Sequence, residues 1–322
     1  MADLEFFAEP SPTREQCDSL AELYPTNPFA TYEYFRAETV LGSNPLLVGC
    51  RSHGETVFGC FATIRKGRLN SRLIITSLPC TEEPFLRGLK TACSRLGITT
   101  LELNTFSSAV SSIPPIGEEL TRAKRTEFVM GLQDRSIDLL KRMNKGHRLT
   151  VQKAIRSGLG LRTVHAFDHL TEHMALIESS MLRRQARGEQ VANPSERILS
   201  AYINSGLCTL YQAVLSGEAL SSITIASARA GVYLHTSGTS PKGMGLGASH
   251  FLLYEILKDC QQRGISVFNF GGVRDFNSGL ADYKRHFGAD AIALEAAEFY
   301  VGGALRKHVS NWIDRARDRA RQ

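Results

Sequence analysis

The chain has 322 residues, of which 43% are hydrophobic and 22% are charged, and its formal net charge is +6 with a pI near 9.0. This balance is typical of a globular protein with room for two domains and argues against a disordered chain. No apolar run approaches the roughly 20 residues of a membrane-spanning helix. The N-terminus, MADLEFFAEPSPTREQ, has acids and prolines where a signal peptide has basic and apolar segments, so we expect a cytoplasmic protein.

Two stretches of the chain share one order of predicted elements. In the first, strands at PLLVGCR, TVFGCFATIRKG and RLIITSLP precede a helix at about 82–96 and the strand ITTLELN. In the second, strands at LCTLYQAVL, LSSITIASARAG and VYLHTSG precede a helix at about 246–263 and the strand ISVFNFGG. Apolar alternation, β-branched residues and turn glycines support these assignments. An antiparallel meander followed by a helix and a further strand predicts an α+β unit that occurs twice.

A basic helix is predicted between the two units, at about 136–157. Six basic residues and no acidic residue lie between Lys141 and Arg156. Lys145 and Arg148 lie one turn apart on the polar side and suit phosphates, although a solvated basic face explains them equally well. His147 falls on the apolar side, so we expect it to pack in the core. The predicted domains are a first unit at 1–135, the linking helix at 136–158, and a second unit at 159–322 that ends in a basic helix.

The seven cysteines are odd in number, widely spaced and without a C-x-x-C pair. This argues against a disulfide framework or a zinc site and favours small core residues in a reducing compartment.

The segment FNFGGVRDFNSGLADYKRHFG, residues 268–288, combines features that rarely occur together. A strand ends in Gly271 and Gly272, a loop follows, and a short helix then carries Tyr283 and Lys284. Glycine lets a ligand approach the backbone closely, and a tight turn requires it equally. The segment therefore brings a strand end and a lysine close together, which is typical of a functional site.

These patterns resemble a known family. The repeated unit resembles the GNAT acetyltransferase fold, and two units joined by a basic helix are similar to the FemAB/FemX group, which transfers an amino acid from aminoacyl-tRNA to an amine. The matching motifs are F-G-G at 270–272, G-L-x-x-[FY]-K-x-x-F-G at 279–288 and K-x-x-R-x-x-x-x-K-A at 145–154. The resemblance covers nearly the whole chain. It implies an α+β fold of two tandem GNAT-like units joined by a basic helix. We expect a monomer.

The resemblance also implies roles for residues around Lys284. Lys284 can stabilise the tetrahedral oxyanion of ester aminolysis or meet a phosphate at the 3′ end of tRNA, and Tyr283 can stack on a base. Asp275 can take a proton from the attacking ammonium, and a helix cap or a salt bridge is an equal alternative. The other predicted substrate- or tRNA-binding residues are Gly271, Gly272, Arg274, Lys145, Arg148, Lys242, Thr236 and Ser237. Since no G-x-S-x-G elbow or Cys–His pair is evident, we expect direct attack by the amine.

Two short motifs favour other functions. The spacing of KGMGLG, 242–247, fits the loop with which acetyl-CoA enzymes of the GNAT fold hold pyrophosphate, so acetyl-CoA is the alternative donor. HLTEH, 169–173, matches the zinc signature H-x-x-E-H. Asp168 is suited to cap a helix there, however, and the apolar stripe that follows predicts an ordinary amphipathic helix without a metal.

Three functions are compatible with these observations. The first is an aminoacyl-tRNA-dependent transferase that acts on an amine of a peptide or peptidoglycan-precursor-like acceptor, in cell-wall or peptide-antibiotic assembly, with no cofactor. The second is an acyl-CoA-dependent N-acyltransferase, and the third is a degenerate tandem fold that only binds peptide or RNA. In the region FATYEYFRAE, where peptidoglycan-building members usually have a lysine, the chain has only Arg36, out of register with that lysine, and Asn104-Thr105 stands where they often have Asp-Pro. Both departures argue against a nucleotide-muramyl acceptor.

Overall fold

The computed structural model describes residues 4–67, 70–134, 136–164, 167–191, 193–273 and 278–303. Its strands are β1 (Glu5–Glu9), β2 (Pro45–Ser52), β3 (Glu55–Lys66), β4 (Ser71–Ile75), β5 (Thr100–Asn104), β6 (Glu118–Gly131), β7 (Gly160–Val164), β8 (Cys208–Leu215), β9 (Glu218–Ser227), β10 (Gly231–Thr239), β11 (Val267–Val273) and β12 (Asp290–Tyr300). Its helices are α1 (Arg14–Leu23), α2 (Tyr32–Val40), α3 (Glu83–Arg95), α4 (Leu139–Arg142), α5 (Lys145–Arg156), α6 (Leu170–Gln185), α7 (Glu196–Asn204), α8 (Pro241–Leu246), α9 (Ala248–Gln262) and α10 (Gly279–His286). The predicted site residues Arg274 and Asp275, and the basic stretch 306–321, lie outside the described residues.

The predicted repeat is present, and the α+β class is confirmed. The first predicted stretch forms β2, β3, β4, α3 and β5, and the second forms β8, β9, β10, α9 and β11. The first hairpin of each stretch closes in the same way, because His53-Gly54 and Ser216-Gly217 all have positive φ, between 51° and 85°. Two consecutive residues with positive φ are the requirement of a type I′ turn, which matches the twist of the paired strands.

One compact unit contains the described parts of Met1–Leu23, Gly42–Arg125 and Ala293–Gln322. Its sheet has the order β1-β2-β3-β4-β5-β12, and only β4 and β5 run parallel. Helix α3 lies against β1 and β2 and buries Phe85, Leu89 and Cys93. These residues recur every four positions and so form one apolar face of the helix.

The other unit contains Tyr24–Leu41 and Thr126–Ile292, again in their described parts. Its sheet has the order β6-β11-β10-β9-β8-β7, and only β10 and β11 run parallel. On β9, Ile223 and Ile225 join the apolar core that includes α9, whereas Ser222 and Thr224 alternate with them and face the opposite side. Helix α6 lies against β9 and β10 on that polar face.

The sixth strand of each sheet comes from the other half of the chain, which the sequence analysis did not predict. Strand β12 pairs antiparallel with β5, and β6 pairs antiparallel with β11. The predicted boundaries at residues 135 and 158 are therefore wrong: residues from 126 already belong to the second unit, and those from 293 belong to the first. Residues 24–41 belong to the second unit as well.

The predicted linking helix at 136–158 is not one helix. Its residues form α4 and α5, which Met143 and Asn144 separate in extended conformation. Asn144 caps α5 by accepting a hydrogen bond from the His147 N–H at 2.8 Å, and its own N–H donates to the His286 carbonyl at 2.9 Å. An Asn that caps a new helix start competes with continued helix. Both helices belong to the second unit, where α5 lies against α9.

Six of the seven cysteines are buried and Cys80 is partly exposed, as expected for core residues. No helix in the described ranges combines the length and the apolar character needed to cross a membrane.

Candidate functional site

Lys284 lies in the core of the second unit rather than at its surface. Its side chain projects from α10, whose first turn Ser278 caps by accepting from the Ala281 N–H at 3.2 Å. Ala281, Lys284 and Phe287 recur every three residues, and each is at most 6% exposed. Lys284 therefore occupies the buried face of a short helix.

The ammonium group of Lys284 holds the end of β11. Its Nζ donates to the carbonyl oxygen of Gly271 at 2.7 Å and to that of Gly272 at 3.2 Å. Gly271 has φ of +75°, and a Cβ added there would lie 3.2 Å from the Leu234 carbonyl oxygen. Glycine is needed here for both reasons, because the left-handed backbone and the close neighbour each penalise a side chain. The structure thus brings three of the predicted site residues into direct contact.

Two residues that the sequence analysis missed support this contact. Asn269 accepts a hydrogen bond from the Gly271 N–H at 2.8 Å and donates through Nδ2 to Glu127 at 3.0 Å. Glu127 is fully buried on the neighbouring strand β6. Buried polar groups of this kind are kept by complete hydrogen bonding. Asn269 and Glu127 thus fix the conformation of Gly271, and the Gly271 carbonyl in turn holds the Lys284 ammonium in place.

Two electrostatic effects shift the pKa of Lys284 in opposite directions. Burial lowers the pKa of its ammonium to about 8, and the nearby Glu127 carboxylate acts in the opposite direction. The group consequently remains mostly protonated at neutral pH and gives up its proton only slightly above it. A buried cation with a shifted pKa is a common feature of functional sites.

The contact lies where two parallel strands separate. Strands β10 and β11 pair from Gly231↔Val267 to Tyr233↔Asn269 and no further. Beyond that point the register of β10 with β9 shifts between Leu234 and Thr236, and that of β11 with β6 shifts between Asn269 and Gly272. Such irregularities redirect side chains at the ends of strands and often adjoin active sites.

Tyr283 packs within a cluster of rings next to this site. The centroid of its ring lies 5.3 Å from that of His147, 5.0 Å from His250 and 5.1 Å from Phe287. Burial raises the pKa of its hydroxyl group above the usual value. The structure gives Tyr283 a packing role, and base stacking by this residue stays a prediction. His147 packs here too, as its position on the apolar side of the helix predicted.

The first turn of α5 adjoins α10, because the Asn144 N–H donates to the His286 carbonyl and the His147 and His286 rings lie 5.3 Å apart. Lys145 is exposed there and Arg148 is partly exposed. The predicted phosphate-binding pair is thus accessible, on a helix that is tied to the one carrying Lys284.

Three other predicted residues do not contact Lys284 directly. Thr236 Oγ1 lies 2.5 Å from Thr224 Oγ1, and Ser237 is exposed. Lys242 forms an ion pair with Glu218. The segment 242–247 is mostly helix α8 instead of a loop, and Ser240 accepts from the Gly243 N–H at its start.

The H-x-x-E-H match has a structural explanation. His173 is fully buried on α6, with Nδ1 2.6 Å from Ser222 Oγ and Nε2 2.8 Å from Thr236 Oγ1. Both ring nitrogens are therefore used by hydroxyl groups. His169 instead contacts Glu172, with 3.2 Å between Nδ1 and Oε2. Within the described ranges no group of His, Cys, Asp or Glu side chains is arranged to hold a metal ion.

Acid is expected to destabilise the second unit through its buried histidines. Burial lowers the pKa of His173, His235 and His250 to about 4 each, from an ordinary value of 6.5. Between pH 6.5 and 4 the unfolded chain binds more protons, so stability present above pH 6.5 is lost as the pH falls, by up to about 3 kcal/mol per histidine.

Urea unfolding at pH 7, 6 and 5 measures this loss. His250→Phe keeps the ring packing and should lose less stability on acidification than the wild type does. His53→Asn, at an exposed position whose φ of 52° suits asparagine, is the matched control variant. An equal loss in His250→Phe and the wild type would show that this histidine does not titrate as described.

Comparisons with known proteins identify a matching domain model and solved structures of similar fold. Residues 141–285 match a family model described as an acetyltransferase (GNAT) domain. The crystal structure of FemX superposes with a TM-score of 0.68 at 11% identity, over 90% of this chain and 96% of that one. L-PGS from Bacillus licheniformis gives 0.56 at 16% identity, over 92% and 94% of the two chains. A tandem GNAT protein from the clavulanic acid biosynthesis pathway gives 0.53 at 12% identity, over 94% and 100%. No curated protein matches the sequence.

These likenesses establish the fold. The chain has a tandem GNAT-like fold, and its expected resemblance to FemX-like proteins is confirmed at the level of the fold. The family match spans α5 through most of α10. It therefore includes Lys145 and Arg148, both glycines of β11, and Lys284.

Proposed function

We propose that this tandem GNAT protein is an aminoacyltransferase that moves an aminoacyl group from aminoacyl-tRNA to an amine of a peptide or a peptidoglycan-precursor-like acceptor. The observation that carries the proposal is the buried ammonium of Lys284, held by the Gly271 and Gly272 carbonyls where β10 and β11 separate. The same residues form the F-G-G and Y-K motifs that resemble the FemAB/FemX group. Cell-wall or peptide-antibiotic assembly is the proposed setting.

The proposed reaction is direct aminolysis of an ester. The neutral acceptor amine attacks the ester carbonyl carbon, a C–N bond forms, and the C–O bond to the terminal ribose of the tRNA breaks. The amine nitrogen loses one proton overall and the ribose oxygen gains one. An ammonium has three N–H groups, and the two glycine carbonyls take two of those on Lys284. We assign the third to the oxyanion of the tetrahedral intermediate, where a fixed donor is worth several kcal/mol.

The basic face of α5 is proposed to hold the tRNA backbone. Lys145 and Arg148 are accessible one turn apart, and α5 begins beside α10. Cations on a helix face bind phosphates without reading bases, so this contact would not depend on the tRNA sequence.

Changing Lys145 and Arg148 to alanine should make tRNA binding less sensitive to salt. If each meets one phosphate, the slope of log K against log salt should fall in magnitude by about 1.4 to 1.8. Lys90→Ala with Arg95→Ala on α3 removes the same charge from exposed positions in the other unit and should leave the slope unchanged. The binding constant is measured at four or more salt concentrations. An equal change in both double variants would assign the effect to net charge alone.

Acetyl-CoA is the second candidate donor, because the matching family model describes an acetyltransferase domain. The helical start of α8, where Ser240 already accepts from the Gly243 N–H, favours aminoacyl-tRNA instead. The deciding experiment offers the protein a pool of radiolabelled aminoacyl-tRNAs and, separately, labelled acetyl-CoA, each with candidate amines. Label that moves only from acetyl-CoA would replace the proposed donor. Label that moves from neither would favour a protein that only binds peptide or RNA.

A further inference from the structure

The second unit contains a buried acid that the proposed reaction does not use. Glu38, on α2, is only 4% exposed. Among the described residues its carboxyl group has one hydrogen-bond partner, the Tyr202 hydroxyl, which lies 3.0 Å from Oε1, and no basic side chain forms an ion pair with it. A carboxylate that is buried without a cation destabilises the fold. Such a group is expected where a ligand supplies the missing positive charge.

An imidazole with an unused nitrogen lies next to the same tyrosine. The ring centroids of His235 and Tyr202 are 5.1 Å apart. Within the described part of the chain, His235 Nδ1 is buried and has no hydrogen-bond partner. Burial lowers the pKa of His235 to about 4, so the ring is neutral at pH 7. A neutral imidazole has one nitrogen that accepts a hydrogen bond.

Aromatic rings complete the surroundings of Glu38. The ring centroid of Tyr34 lies 6.2 Å from that of Tyr202, in an edge-to-face arrangement, and both residues are buried. Aromatic rings attract cations through their negative faces. A carboxylate, a hydroxyl oxygen, an imidazole nitrogen and tyrosine rings are together the groups that a protonated amine prefers.

This group of residues adjoins the strand ends near Lys284. His235 is the extra residue in the irregularity of β10, between Leu234 and Thr236. The carbonyl oxygen of Leu234, the residue before it, lies 3.2 Å from the position of a Cβ at Gly271. An amine bound at His235 would therefore lie close to the place where the ester carbonyl is proposed to react.

We propose that Glu38, Tyr202 and His235 form a binding site for a primary ammonium group. The proposal rests on the aminoacyltransferase function, which offers two sources for this group: the α-amino group of the aminoacyl ester and the amine of the acceptor before it loses its proton. In either case the ammonium donates to Glu38 and His235, and the charge of Glu38 is neutralised.

The first test measures binding without any transfer. The full-length protein, labelled with ¹⁵N-histidine, is titrated with alanine methyl ester and with its N-acetyl form, and the His235 imidazole signals are assigned through His235→Gln. The free amine should shift the His235 signals, and the N-acetyl ester, which lacks the charge, should not. The exposed His53 serves as the internal control. Equal shifts with both esters, or none with either, would overturn the proposal.

Glu38→Gln tests the carboxylate itself. Glutamine keeps the shape and can accept from Tyr202, so the amine-dependent shift at His235 should disappear while the protein melts at the same or a higher temperature. A lower melting temperature would mean that the carboxylate serves the fold, and the proposal would fail.

A second experiment distinguishes the two sources. If the donor's amino group is bound, a mixed aminoacyl-tRNA pool should bind about ten- to a hundredfold more tightly than the same pool after N-acetylation, and Glu38→Gln should remove this difference. If the acceptor is bound, both pools should bind equally and Glu38→Gln should raise only the KM for the amine. Failure of transfer with any donor would count against the proposed function, while the ester titration would still decide the amine site.

Discussion

Replacing Lys284 by methionine is expected to lower single-turnover aminoacyl transfer by about 10² to 10³. This is the usual loss when one fixed donor to a developing oxyanion is removed. Methionine is the better substitution than alanine because Lys284 is only 6% exposed, and alanine would leave a cavity in the core. The rate is measured with enzyme in excess over labelled donor, so that product release does not mask the chemical step.

Two controls accompany this variant. Lys258→Met also removes a lysine from the second unit, at a side chain that is 43% exposed and paired with Glu255, and it should leave transfer unchanged. Lys284→Arg keeps a charge but has a planar head group with a different arrangement of N–H donors, so it should not restore activity. Full activity in Lys284→Met with a native melting curve would show that the proposed site is wrong.

The pH dependence of transfer identifies which form of Lys284 acts. Burial lowers the pKa of this ammonium to about 8. If the ammonium is the donor, the contribution of Lys284 to the rate falls as the pH rises through about 8. If the neutral amine acts as a base, the rate rises over the same range. Because the Gly271 and Gly272 carbonyls take two N–H groups, only the ammonium has a third N–H left for the oxyanion, so we expect the fall.

Local sequence patterns were sufficient to predict the repeated unit. Alternating apolar residues and the turn at Gly54, matched by that at Gly217, fixed the strands of both hairpins because these depend on neighbours within the same few residues. No comparable local pattern indicates that β6 pairs with β11 or that β12 pairs with β5. Alternating apolar residues indicate that one face of a strand is buried, but they do not indicate which strand it pairs with. Strand pairing depends on packing between residues far apart in the chain.

The site was predictable only where spacing carried the information. Ala281, Lys284 and Phe287 lie three residues apart, and this period already places the lysine on the buried face of α10. By contrast, Glu127 and Asn269 are polar residues within apolar strands, and nothing in their neighbours states that they meet. Their pairing follows from the register of β6 with β11, which the sequence analysis did not predict.

Neutralising Glu127 is expected to destabilise the second unit by about 3 to 5 kcal/mol at pH 7, the usual cost of leaving one buried charge without its partner. Glu127 is fully buried, accepts from Asn269 and supports the charge of the Lys284 ammonium. In Glu127→Gln that ammonium keeps the burial that lowers its pKa and loses the carboxylate that opposes it. The free energy of unfolding is measured with urea for Glu127→Gln, Lys284→Met and the double variant.

The double variant should be more stable than the sum of the single changes predicts, because it removes both charges together. The pH provides an independent check. Since the pKa of Lys284 is about 8 in the folded protein and 10.5 in the unfolded chain, the unfolded chain binds more protons between these values, and stability from this group rises with pH across that window. In Glu127→Gln the folded pKa falls further, so the rise should begin below pH 8, whereas both variants with methionine at position 284 should lack it. Additive free energies and an unchanged pH dependence would mean that Glu127 and Lys284 do not interact, and Lys284 would then be held by the glycine carbonyls alone.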